Sequence, residues 1–144
     1  MEVSVEQEIN QIQMGKPHVV ILGAGASRAA FQNGDKNGVR LPLMDDFADV
    51  LGLNDLLSQA GIDFETVNFE KIYDQLHQNE AHREIRKELE KVIHNYFSRL
   101  EIIDEPTIYD HLLLSLRGKD VVATFNWDPF LLQAYRRNAQ KFKL

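Results

Sequence analysis

Two short apolar runs, His18 to Leu22 and Asp120 to Phe125, restrict the folds open to this chain more than any other feature. Each is nearly continuous in apolar and β-branched residues, the pattern of a strand covered on both faces in a parallel sheet. They stand far apart in the sequence, with helical periodicity between them, and parallel neighbours need such a crossover. The expected fold is α/β, a Rossmann-like parallel sheet with a helical insertion between the two strands. Only two strands are evident, so the sheet reads as incomplete at its C-terminal side. Residues 1–144 are therefore expected to form one domain that belongs to a larger protein or is completed by another chain.

The segments around the strands carry helical spacing. Val5, Ile9 and Ile12 suit one or two turns within residues 1–14, stopped by Gly15 and Pro17. A helix is expected to start near Ala26 and reach Phe31. Gln32 to Leu41 holds two turn signals and few apolar residues, so it reads as a mobile surface loop or lid. Asp45 to Ala60 has a helical apolar face broken near Gly52 and Asn54, and Asn68 to His77 forms a further helix. From Ala81 to Leu100, Ile85, Leu89, Val92, Ile93, Tyr96 and Leu100 make an apolar stripe opposite Glu84/Lys87 and Glu88/Lys91 pairs. Pro106 opens a helix through Ile108, Leu112, Leu113 and Leu116, and Phe130 to Arg137 forms another.

Composition narrows the classes of function. The chain has 44% apolar residues, enough for a real core, and 16 basic against 22 acidic residues give a net charge of −6. That balance offers no electrostatic case for nucleic acid or an anionic membrane. Without cysteine there is no disulfide, thiol nucleophile or thiolate metal site, and a reducing cytoplasmic location is expected. His77 and His82 are five apart, a weak spacing for metal ligands, and no metal is expected.

The chemistry sits where the strands end. Gly23-Ala24-Gly25-Ala26-Ser27 follows the first strand, with glycines that allow positive φ or close backbone approach, helix-start N–H groups suited to phosphate, and a hydroxyl donor. The same turn can also serve only to pack a helix against a strand. Arg28 stands where a dinucleotide fingerprint has a small residue, and no Gly-Lys-Ser/Thr follows. Thr124-Phe125-Asn126-Trp127-Asp128 follows the second strand, and ligands in open parallel sheets bind at the carboxyl ends of strands. There Asn126 can orient a water or a ribose hydroxyl, and Asp128 can accept from a hydroxyl or carboxamide. Alternatively Asp128 caps the next helix, Trp127 fills the core and Asn126 satisfies local backbone.

In order, G-A-G-A-S, the L-P-x-M-x-D-F stretch of Leu41 to Phe47, and T-F-N-W-D-P-F-L-L resemble the sirtuin-like domains of bacterial NAD-consuming defence proteins. Sirtuin deacylases carry related G-A-G-x-S and T-x-N-x-D segments. The resemblance implies an NAD-binding fold, with Gly23, Ala24, Gly25 and Ser27 around the phosphates and Asn126 and Asp128 on the nicotinamide-ribose side. It also implies that residues 32 to 47 cover the nucleotide, with Asp45 a candidate contact, while Asp46, Asp49 and Glu70 read as surface carboxylates. The implied activity is NAD glycohydrolysis in antiphage defence, with Asn126 and Asp128 as catalytic candidates and no metal for cleavage of the nicotinamide–ribose bond.

Such enzymes pair the asparagine with a later histidine, but the five histidines here are His18, His77, His82, His94 and His111, all before Asn126. Of these, His111 alone has a helix position from which to reach the crevice. The chain by itself is expected to bind NAD weakly and to turn it over little, with NAD and a second copy or a partner chain as its partners. The alternative is a non-catalytic nucleotide-sensing or protein-interaction module. A nicotinamide-dependent dehydrogenase fits less well, because of Arg28 and the lack of an acidic residue ending a second strand about 20 residues on. The basic residues Arg136, Arg137, Lys141 and Lys143 suit either an acidic partner or a solvated helix terminus.

Overall fold

The computed structural model describes residue 4, residues 16–62 and residues 68–142. The helix expected within residues 1–14, and Lys143 of the basic tail, lie outside the described residues. The two apolar runs form β1 (Val19–Leu22) and β2 (Val121–Thr124), which pair in parallel with Val19 opposite Val121 and Leu22 opposite Thr124. Polar contacts fix this register at both ends. Asp120 Oδ1 accepts from the His18 backbone N–H at 2.9 Å, and its other oxygen accepts from Arg117 Nε at 2.9 Å. At the far end, Phe125 N–H donates to Leu22 O at 3.1 Å. His18 is thus structural, its ring nitrogen 2.8 Å from the Arg117 guanidinium.

Helices supply the rest. The first, α1 (Ala24–Ala30), starts two residues earlier than the sequence suggests, directly after Gly23. Then α2 (Phe47–Leu51) and α3 (Asn54–Gln59) flank a break at Gly52, whose φ of 68° is the left-handed conformation that stops a helix. Next come α4 (Phe69–Gln78), capped by Asn68, and α5 (Arg83–Ser98). Finally α6 (Ile108–Ser115) precedes β2 and α7 (Phe130–Asn138) follows it. The Thr107 and Asp110 side chains cap α6 reciprocally, a form of end closure that satisfies two otherwise free N–H groups.

Two apolar cores result. Phe47, Leu51, Leu53, Leu57, Phe69, Ile72, Leu76 and Leu89 bind the helical insertion together. Phe31, Leu41, Leu100, Tyr109, Leu113, Phe130 and Ala134 form the second core, against which Leu22 of β1 packs. Tyr96 and Phe97 of α5 touch both cores, so the longest helix joins the insertion to the sheet.

The sheet departs from expectation in one respect. Val19 and Ile21 are 65% and 66% exposed, and Val121 and Ala123 beside them are exposed too, so one sheet face is bare among the described residues. Continuous apolar character predicts cover on both faces, but the described helices pack on one. The architecture is α/β with a two-stranded parallel sheet. No described helix is long and apolar enough to cross a membrane.

The expected mobile loop is instead tied down. Asp35 is buried and its carboxylate accepts from the N–H groups of Asn37, Val39 and Glu101 at 2.8 to 3.0 Å. Gly34 has φ of 89°, and a Cβ there would lie 2.6 Å from the Gly38 carbonyl carbon, so this turn requires glycine. Sequence spacing marks Asp35 as one polar turn residue among several; only the fold brings Glu101 to it.

Candidate functional site

Because β1 and β2 are parallel neighbours ending level, the two polar motifs leave the sheet side by side. Their side chains meet. Asn126 Nδ2 donates to Ser27 Oγ at 2.8 Å, and that oxygen lies 2.6 Å from the Tyr109 hydroxyl. Ser27 is buried, 1% exposed, and Tyr109 is buried with it. Asp128 lines the same crevice as Ser27 and Asn126. Ser27 Oγ accepts from the Asn126 amide and has a lone pair left with which to accept from the Tyr109 hydroxyl.

Burial pushes the Asp128 carboxyl above its usual range, against the pull of hydrogen bonds from Ser27, the Phe130 N–H and Asn126. Burial likewise raises the Tyr109 phenol, which stays a neutral donor. Asp128 Oδ1 accepts from Phe130 N–H at 3.3 Å, so it holds the start of α7 as well as facing the crevice. Asn126 Oδ1 is buried and has no partner among the described residues. A buried amide oxygen without a protein partner calls for a water or another polar group to satisfy it.

The glycine turn works differently from the sequence reading. Neither Gly23 nor Gly25 has a positive φ. Both are exposed, and a Cβ on either would meet nothing within 4 Å. Conformational need therefore does not explain these glycines, and the space above them is open. Ala24 is half-buried and lines the crevice with Ser27, Asn126 and Asp128. Leu41, Pro42, Met44 and Phe47 close the crevice from the other side, leaving a volume of about 40 Å³. That is room for a group about the size of one water, whose share of liquid volume is about 30 Å³.

The stretch from Leu41 to Phe47 is thus part of the site wall, held there by the residue that breaks the dinucleotide fingerprint. Arg28 NH1 donates to Leu41 O at 2.6 Å and pairs with Asp46 Oδ2 at 2.9 Å. Asp46 also pairs with Arg40 at 2.8 Å and accepts from Leu43 N–H at 2.6 Å. Burial alone would raise its carboxyl, but the Leu43 N–H and the Arg28 and Arg40 guanidiniums outweigh that and hold it low. Asp46, which the sequence suggests is a plain surface carboxylate, fastens this segment. Asp45 is exposed and is absent from the crevice wall.

Tyr109 is the site residue that the sequence conceals. It sits in α6 among leucines and isoleucine, where an aromatic reads as core, and its one polar atom points at Ser27. His111, two residues on, is exposed and does not line the crevice. Arg137 is likewise not available to a partner. Its guanidinium holds the buried Asp110 carboxylate through both oxygens and donates to Ile103 O at 2.6 Å. Among the described residues, no group of three or more His, Cys, Asp or Glu is placed to hold a metal. Comparison with protein-family models, curated proteins and solved structures finds no match to this chain.

Proposed function

We propose that the chain is a nucleotide-binding domain of the sirtuin-like kind and that its ligand is NAD. The observation that carries this reading is the Asn126–Ser27 hydrogen bond, which joins the two strand-end motifs of the resemblance at one crevice. Open space over Gly23 and Gly25 gives the larger body of a dinucleotide a place outside the narrow crevice. Phosphates then lie against the backbone of Gly23, Ala24 and Gly25, with Ser27 oriented by Tyr109 and Asn126. Asn126 and Asp128 face the ribose that carries nicotinamide. Their role in a glycohydrolase of defence proteins is to position a hydroxyl or a water at that ribose, because breaking a glycosidic bond with an oxocarbenium-like transition state depends on positioning and charge.

A second reading, a nucleotide sensor without turnover, is favoured by one feature. Among the described residues no imidazole lines the crevice, and the hydroxyl in its wall is that of Ser27, which Tyr109 contacts from behind. Calorimetric titration of NAD into the wild type, Ser27→Ala and Asn126→Ala tests the binding claim common to both. The expected result is weak but saturable binding that each substitution weakens about tenfold, or 1.4 kcal/mol. Unchanged affinity in both variants overturns the site. Nicotinamide release then separates the readings: release that Asn126→Ala abolishes marks the hydrolase, and binding without release marks the sensor.

A further inference from the structure

A second cavity lies mainly on the helical insertion and takes Trp127 and Pro129 from the motif that follows β2. It measures about 680 Å³ and opens between α4, α5 and the turn that follows β2. Phe69, Tyr73, Phe97 and Trp127 wall it, and Glu70 and Glu90 stand in the same lining. Among the described residues no lysine or arginine lines it, and His94 is the imidazole in its wall. Arg86 acts on Tyr73 from nearby, but its guanidinium donates to the His77 backbone oxygen at 3.3 Å.

The walls are preset. Phe69 stacks on Phe47 with ring centroids 4.3 Å apart, and Trp127 meets Phe47 and Phe97 edge-on at 5.5 and 5.8 Å. Tyr73 donates its hydroxyl to Glu90 at 2.6 Å, which fixes both the ring and the carboxylate. The size falls within the range of small-molecule sites, about 300–1,000 Å³. Ring faces attract cations through their quadrupoles, and two carboxylates in the same lining add charge of the matching sign. A neutral apolar guest would leave these carboxylates unused, and an anion would be repelled by them.

We propose that this cavity binds a small organic cation, a quaternary or alkylated ammonium with an apolar body. The assignment does not rest on the nucleotide reading, since neither Ser27, Asn126 nor Asp128 belongs to this lining. Trp127 also borders the narrow crevice, so it is the shared wall of the two sites.

Trp127 is the only tryptophan in the chain, so its emission reports the cavity directly. The probe is benzyltrimethylammonium, compared with dimethyl benzyl carbinol, a neutral molecule of closely similar shape, and with phenylmethanesulfonate, an anion. The expected result is a saturable change in Trp127 emission with the cation and affinity at least about tenfold weaker for the neutral compound, a difference of 1.4 kcal/mol. The anion is expected not to bind. The doubly substituted Glu70→Gln, Glu90→Gln chain should lose most of the preference for the cation while its melting temperature stays close to wild type, because both side chains are exposed. Equal affinity for the neutral compound, no saturable change with the cation, or a preference that survives both substitutions overturns the proposal.

Discussion

Replacing Gly25 by alanine separates a glycine needed by the fold from one needed by a ligand. Gly25 is the second residue of α1, its φ is not positive, and an added Cβ meets nothing within 4 Å. The fold therefore gives the methyl group no opposition. At a site whose conformation alanine can adopt, replacing glycine stabilises by about 0.4–1 kcal/mol by restricting the unfolded chain. At about 2–4 °C per kcal/mol for a chain near this length, the melting temperature should rise by about 1–4 °C. A dinucleotide lying against this backbone meets the same methyl. Forcing one extra carbon into a packed contact costs about 1–3 kcal/mol, so NAD affinity should fall by about 5- to 150-fold. The assay pairs thermal melting with calorimetric titration on the same preparation. Unchanged affinity would refute the close approach, and a lowered melting temperature would show that the glycine serves the fold.

Asp128→Asn should stabilise the chain at neutral pH while weakening NAD binding. Burial holds this carboxyl above its unfolded value, so between the two values the native state binds more protons and wild-type stability falls as pH rises. Urea midpoints across pH 3–8 should show that decline in the wild type and not in the variant; a less stable variant at pH 7 would mean that the bond to Phe130 N–H outweighs burial. Arg137→Ala should destabilise by about 3–5 kcal/mol, because Asp110 is left buried without its cation. Burial alone would raise Asp110, but its bonds from Arg137, Thr107 and Asn138 hold it well below the carboxylate range. Its contribution is therefore complete above the ordinary carboxylate value and lost as pH falls, and Asp110→Asn should flatten the acid limb of the denaturation profile. Tyr109→Phe should cost about 1 kcal/mol in urea unfolding, the worth of one hydrogen bond. The same change should lower NAD affinity, since Ser27 loses the contact that orients it.

The elements most readable in the sequence were those set by local physics. The pairing of His18 to Leu22 with Asp120 to Phe125, the break at Gly52 and the stripe on α5 follow from periodicity and turn chemistry. The meeting of Ser27 with Asn126 follows because parallel strands place both C-terminal ends at one edge. What stayed hidden depends on contacts between distant segments. Asp35 becomes an organising residue only when Glu101 reaches it, and Asp46 only when Arg28 and Arg40 converge on it. That fastening holds residues 35–46 through contacts within the chain, where turn signals alone suggest a mobile loop. Arg137 looks free on α7 until α6 presents Asp110, and Tyr109 reads as core because its hydroxyl has no signature in hydropathy. The sheet face that is bare among the described residues has no signature in sequence for the same reason: apolar character records what a strand can bury, not what lies against it.

Hydrogen exchange at millimolar NAD tests the central claim most directly, because it reports on both strand ends in one measurement. If the two motifs form one nucleotide site, amides in residues 23–28 and 124–131 should gain protection together, with saturation at a common NAD concentration, and Asn126→Ala should abolish both effects at once. Protection at one strand end alone, or no protection at either, would contradict the account.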